Sequence, residues 1–435
     1  MPTTLTATDV SRLLGRAAFG ATQTDIDVWT GRAYEDLVEL LLAADPRVPL
    51  PDDAQRVAFE TGQNLSSEAA RVWWMERMRT TPFPLLERMT LLWHGHFATG
   101  IRYPPSVAHL VAQNQTLRAN ALGNVRTLVE AMNTDPAMLY WLNGFENVPP
   151  KCNENYAREF FELFTLGKQP QVYTERDIRE AAKAFTGWYV DATGKAAFAE
   201  SRHHKGAKKV LGRTVTDKGI EEHKDLVAIA LAQPVASRFF AFKMVASFAY
   251  VPQPKDALVE AVAKSLRDDD WDIKAALRTL LLHEQFRSPV PWRGRQLVRQ
   301  PVEATVHAAK ALGVRIDPWL VHSVDAMGQI LFDPVNVGGW PMGRDWVSPV
   351  TALARYQSGL ELFRLATAQP NAVAAPLPPS GDLAAWARRL GVPAFGTNTA
   401  NAVAGYLRRM KGANERDLQQ GVLALLLSSP EWVVF

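Results

Sequence analysis

Apolar residues follow the 3.6-residue period of an α-helix along most of the chain; a different pattern is confined to one short region. Asp9 to Gly20, Tyr34 to Ala44, 66–80, the run from Pro84 through Trp93, Ser106 to Leu122, Val125 to Met132, Pro136 to Leu142 and Thr174 to Phe185 each read as helices. Gly, Asn, Asp or Pro punctuates them. Thr24 is expected to cap the second helix and Ser66 or Ser67 the one after a Pro- and Asp-rich connector at 45–54. Pro84 suits the first turn of the next. Helical period resumes near Gly219, runs through His283, and returns at 300–312, 316–332 and 350–366. Between 188 and 216 it fails, and Trp188-Tyr189-Val190 and Ala196-Ala197-Phe198-Ala199 flank Asp191-Ala192-Thr193-Gly194, which predicts a small hairpin. The expected fold is mostly α, a multi-helix globular bundle with a small β-hairpin insertion near 188–216. An Ala/Pro-rich linker at 367–381 divides a main helical domain, 1–366, from C-terminal helices at 382–435 that are expected to pack on it.

One helix concentrates the chemistry. From Asn153 to Gly167, Tyr156, Phe160, Leu163 and Phe164 fill one arc of the wheel, and Asn155, Arg158, Glu159 and Glu162 share the other. Asn153 or Asn155 can cap its start, and Gly167 can end it in a left-handed conformation. Glu159 and Glu162, three apart, place their Cβ atoms roughly 5–6 Å from each other. That spacing suits a shared metal or proton, and it equally suits Arg partners.

Composition narrows the class little. Hydrophobic residues are 47% and charged residues 21% of the chain, and the net charge of +3 is too balanced to imply nucleic acid. The single Cys152 rules out an internal disulfide. No run of about 18 apolar residues suggests a membrane span. The first residues lack the basic and apolar regions of a signal peptide, so the expected location is cytoplasmic, with export alongside a signal-bearing partner left open. Nucleotide-binding glycine loops, HExxH, GxSxG and CxxC are all missing.

Four further constellations carry candidate chemistry. Trp93-His94-Gly95-His96-Phe97 sets two imidazoles at i, i+2, which share a direction only in extended chain and diverge by about 200° on a helix. Arg202-His203-His204-Lys205-Gly206-Ala207-Lys208-Lys209 suits metal ligation by a histidine or anion binding by Lys205 and Lys208. Arg287, Arg293, Arg295 and Arg299 around Trp292 can grip an anion or neutralise the acidic helix. Gly338 to Trp346 is turn-rich, with Trp340 and Trp346 expected in the core and Arg344 and Asp345 at a cleft.

At these motifs the chain resembles a bacterial family, the domain of unknown function 1800. The likeness is carried by Leu13 to Gly20, Trp93 to Thr99, Asn153 to Gly167 with Tyr173 to Trp188, and Gly328 to Trp346. His204 to Gly212 is similar to the family's His-Asp-x-Gly-x-Lys segment, with Lys205 where Asp is usual; Phe164 stands where many members have His. The resemblance implies no reaction. It does imply a partner encoded by a neighbouring gene, since members often look exported beside a second family bearing a twin-arginine signal.

The leading expectation is a metal-dependent enzyme: a divalent cation held by His94, His96, His204 and Glu159, with Glu159, Glu162 and His96 as acid/base groups. Two alternatives stand beside it. One is a non-enzymatic assembly or export partner whose polar helix is an internal ion-pair network. The other is an anion or polysaccharide binder using Lys205, Lys208, Arg293 and Arg295.

Overall fold

Side-chain caps start most of the helices in the computed structural model of the chain, which describes residues 4–45, 66–101, 106–169, 171–288, 297–368 and 376–434. The chain is 63% helical, with 22 helices among the described residues and two antiparallel two-stranded sheets. The first half carries α1 (Ala7–Ala17), α2 (Gln23–Trp29), α3 (Tyr34–Leu42), α4 (Ser67–Thr80), α5 (Pro84–His96), α6 (Val107–Asn120), α7 (Val125–Asn133) and α8 (Pro136–Trp141). Next come α9 (Asn155–Glu159), which continues as a π-helical turn (Phe160–Thr165), and α10 (Glu175–Ala184). The sheet region holds β1 (Trp188–Val190), β2 (Ala196–Phe198), β3 (Lys208–Val210) and β4 (Arg213–Val215). Then follow α11 (Glu222–Leu231), α12 (Pro234–Phe248), α13 (Ala257–Asp268), α14 (Ile273–Leu282), α15 (Glu284–Arg287), α16 (Pro301–Leu312), α17 (Pro318–Ala326) and α18 (Pro349–Ala368). The chain ends in α19 (Leu383–Leu390), α20 (Thr397–Arg409), α21 (Glu415–Leu426) and α22 (Pro430–Val433).

Ser66 caps α4, Pro84 opens α5, and Thr174 with Asp177 forms a capping box on α10. The second helix starts earlier than expected, because Thr22 rather than Thr24 accepts from the Asp25 N–H while Asp25 returns the bond. Two hairpins form rather than one. The second turns at Leu211 and Gly212, both with positive φ.

The core divides into two clusters. One gathers α1, α3, α7, α9, α10 and α11 to α15; the other gathers α4, α16 to α18 and the C-terminal helices. Helix α5 lies at the seam. Leu85, Leu86, Met89 and Trp93 join the first cluster and Leu91 the second, and Glu87, Arg88, His94 and His96 are buried with them. A helix buried on every side must pair its charges. Glu87 accepts from Arg77 Nε and Arg118 Nε at 2.6 Å each and from Trp74 Nε1 at 3.0 Å. Burial disfavours its charge, but Arg118 and Arg77 outweigh burial and hold the carboxyl at about 2. Arg88 pairs with Glu303 of α16 and donates to the Arg16 and Ser247 carbonyls, both at 3.2 Å.

Candidate functional site

The wheel places Tyr156, Phe160 and Phe164 inward, as expected, with Leu163 half-buried. Asn153 Oδ1 accepts from the Asn155 N–H, and Gly167 closes the helix at φ +79°. The second half departs from α geometry. Leu166 N–H donates to the Phe161 carbonyl at 2.9 Å, five residues back, and the widened turn buries Phe161 against Tyr173.

Glu159 and Glu162 remain on the outer face, both half-buried. Burial first, then Glu162, raises the Glu159 carboxyl. Arg158 of the same helix lies 3.8 Å from Glu162 and 2.7 Å from Glu175. So charge pairing here is local and partly solvated, worth tenths of a kcal/mol to about 1 kcal/mol. Arg287 meets Glu35 and the face of Tyr34, while buried Arg299 donates to His307 Nδ1 and lies over Trp432. Arg293 and Arg295 lie outside the described residues. Buried ion pairs form instead at Glu87, Glu303 and Glu222.

His94 and His96 diverge because the helix runs through both. His94 Nε2 accepts from the Phe332 N–H at 3.1 Å, and its ring sits among Trp74, Phe332 and Trp340. His96 Nε2 donates to the Phe164 carbonyl at 3.0 Å, at the π-helical end of α9. Burial lowers both imidazoles to about 3, with Lys243 adding to the shift at His96. Both are therefore neutral in the folded protein, and the Nδ1 atom of each has no partner among the described residues.

No three of His94, His96, His204 and Glu159 bring ligand atoms within 4.8 Å of one another. Among the described residues, the group that brings three ligand atoms within 4.8 Å is His203, Asp217 and Glu222. A cation already serves it: fully buried Lys208 lies 2.7 Å from Glu222 and 3.3 Å from His203 Nε2. His203 Nδ1–H donates to the Thr186 carbonyl at 2.9 Å, and Nε2 meets Glu222 at 3.0 Å. Burial disfavours the imidazolium, but Glu222 and Thr186 outweigh it and raise its pKa. Lys208 points inward and is closed to an external anion, whereas Lys205 pairs with Glu200 at the surface.

A cavity opens beside His96. The Gly338 to Trp346 loop folds over the end of α5, with Gly339 so close that a Cβ there would stand 2.1 Å from the Gly95 carbonyl oxygen. At φ +86° only glycine is comfortable. Between this loop, α5 and α12 lies a free volume of about 70 Å³, or about 620 Å³ with the space open to solvent. His96, Lys243, Ser247, Gln300, Trp340 and Trp346 line it. Trp346 is buried, Trp340 is half-buried with an unpartnered Nε1, and Arg344 and Asp345 are exposed outside the lining. Burial lowers the Lys243 ammonium. It stands 5.6 Å from the Phe239 ring centroid, with no carboxylate paired to it among the described residues.

A family model described as a protein of unknown function, DUF1800, matches residues 12–434. The chain belongs to this family. No curated protein and no solved structure matches it. Phe164 holds its ring 6.2 Å from the His96 ring. In this chain that wall of the His96 site is apolar.

Proposed function

We propose that this DUF1800 chain binds a small oxygen-bearing organic molecule, a carboxylate of about two to four carbons, in the cavity beneath the Gly338 to Trp346 loop. One observation carries the reading: Lys243, a half-buried cation with no carboxylate partner among the described residues, lines a cavity. Partial burial disfavours its charge, and an anion entering the cavity would offset that cost. Trp340 and Trp346 supply apolar walls and Ser247 and Gln300 neutral polar groups, the mixture expected of small-molecule sites. The size of the cavity restricts the ligand to a few heavy atoms.

The anion-binding alternative thus moves from the basic hairpin to α12. The metal reading loses support, because its four ligands have separate surroundings and Lys208 fills the place between His203 and Glu222. The test is titration with acetate, oxalate and malonate, followed by tryptophan fluorescence and thermal shift. Saturable quenching that is lost in Lys243→Met and retained in part in Lys243→Arg is expected. Equal responses in wild type and Lys243→Met would overturn the reading.

A further inference from the structure

We propose that the Lys243 amine is a nucleophile that condenses with the carbonyl of a small aldehyde or ketone seated against Trp340 and Trp346. The inference rests on the binding reading and extends it from small carboxylates to small molecules that carry an aldehyde or ketone carbonyl. A lysine becomes nucleophilic when its surroundings disfavour the ammonium, through desolvation and the absence of a carboxylate. Both conditions hold at Lys243, and burial lowers its pKa. The titratable groups lining the cavity are His96 and Lys243 itself.

The neighbouring imidazole is set in one tautomer. His96 Nε2–H is committed to the Phe164 carbonyl, which leaves Nδ1 a lone pair with no partner among the described residues. His96 is a positioning residue: neutral and fixed by its bond to Phe164, its ring forms part of the wall of the cavity that Lys243 also lines. The step balances without a co-reactant. The amine lone pair attacks the carbonyl carbon, a C–N bond forms, and the C=O π pair moves to oxygen, which takes a proton released from nitrogen. Departure of that oxygen as water, with the second amine proton, leaves a C=N imine. The tryptophan walls and small volume favour short carbonyl compounds and limit the water that would reverse the step.

The experiment needs no variant for its first reading. Native protein is incubated with acetaldehyde, glyoxylate or pyruvate in cyanoborohydride, digested, and mapped by mass spectrometry. A lowered amine pKa raises the neutral fraction near neutral pH, so Lys243 should be modified faster than the surface lysines. Acetate should protect it. In His96→Gln, adduct formation at Lys243 should slow while acetate quenching persists, a split that a merely structural role would not produce. Adducts spread evenly over the surface lysines would overturn the proposal. Acetate quenching without a Lys243 adduct would refute the covalent step and leave the binding site standing; absence of both would refute the two together.

Discussion

Replacing Glu87 with Gln tests whether α5 is held at the seam by its buried charge cluster. The carboxylate is fully buried and accepts from Arg77, Arg118 and Trp74. Its pKa falls from 4.5 to about 2. The drop from 4.5 to about 2 is worth about 3 kcal/mol. The sign follows from a depressed acid: the stabilisation is full above about pH 4.5 and is lost as pH falls through about 2. An independent route gives a similar magnitude, since breaking one partner of a buried ion pair costs about 3–5 kcal/mol. Gln can keep one oxygen as the acceptor for Trp74, but it loses the charge and turns an amide NH2 toward the Arg77 and Arg118 donors. The expected result is a loss of about 3–5 kcal/mol in urea unfolding near neutral pH, with an unchanged slope against denaturant. At about pH 4 the gap to wild type should narrow by about 0.8 kcal/mol, because native Glu87 is still ionised while the unfolded carboxyl is largely protonated. A loss under about 1 kcal/mol would mean that Arg77 and Arg118 find water or other partners, and would refute the charge-cluster account.

His94 gives a prediction of the same form for a base. Its folded pKa of about 3 lies below the ordinary 6.5, so its contribution is present above about 6.5 and is lost as pH falls toward 3. The stability deficit of His94→Leu, whose Phe332 N–H is left without an acceptor, should shrink by about 2 kcal/mol between about pH 7 and about pH 5, read by urea unfolding. Gly339→Ala should destabilise by about 1–3 kcal/mol and shift the Trp340 fluorescence, because its Cβ meets the Gly95 carbonyl and its φ is left-handed. Wild-type melting temperature and emission would argue against the close packing of the loop on α5. Lys208→Met should cost about 3–5 kcal/mol in urea unfolding, and Lys208→Met with Glu222→Gln should cost less than the single change. Strict additivity would show that the pair is not coupled.

Much of this protein is determined by local pattern. Period, caps and breakers decide the helices: Ser66, Pro84 and the Thr174–Asp177 box act over three or four residues, and the amphipathic 153–167 helix ends at Gly167 as its sequence predicts. The mostly α class follows from the same signals. Where neighbouring signals compete, as at Thr22 and Thr24, the local rule chooses less reliably, because the carboxylate of Asp25 decides which threonine is answered.

The candidate site is a different matter, because it depends on which distant residues meet. His94 and His96 stand two apart in sequence, yet a helical turn sends one to Phe332 and the other to Phe164. Lys208 sits in a basic surface-like run, and only the approach of the first residue of α11 turns it inward to Glu222. Glu87 and Glu303 look like solvent-facing helix positions until both core clusters close around them. Lys243 carries no sequence signal beyond one charge in an apolar helix; a loop a hundred residues away makes it the floor of a cavity. Backbone preferences act within a turn or two, so the sequence by itself determines the helices. Desolvation and charge pairing depend on every neighbour in space, so only the tertiary structure decides which polar side chains are buried, paired or left open to a ligand.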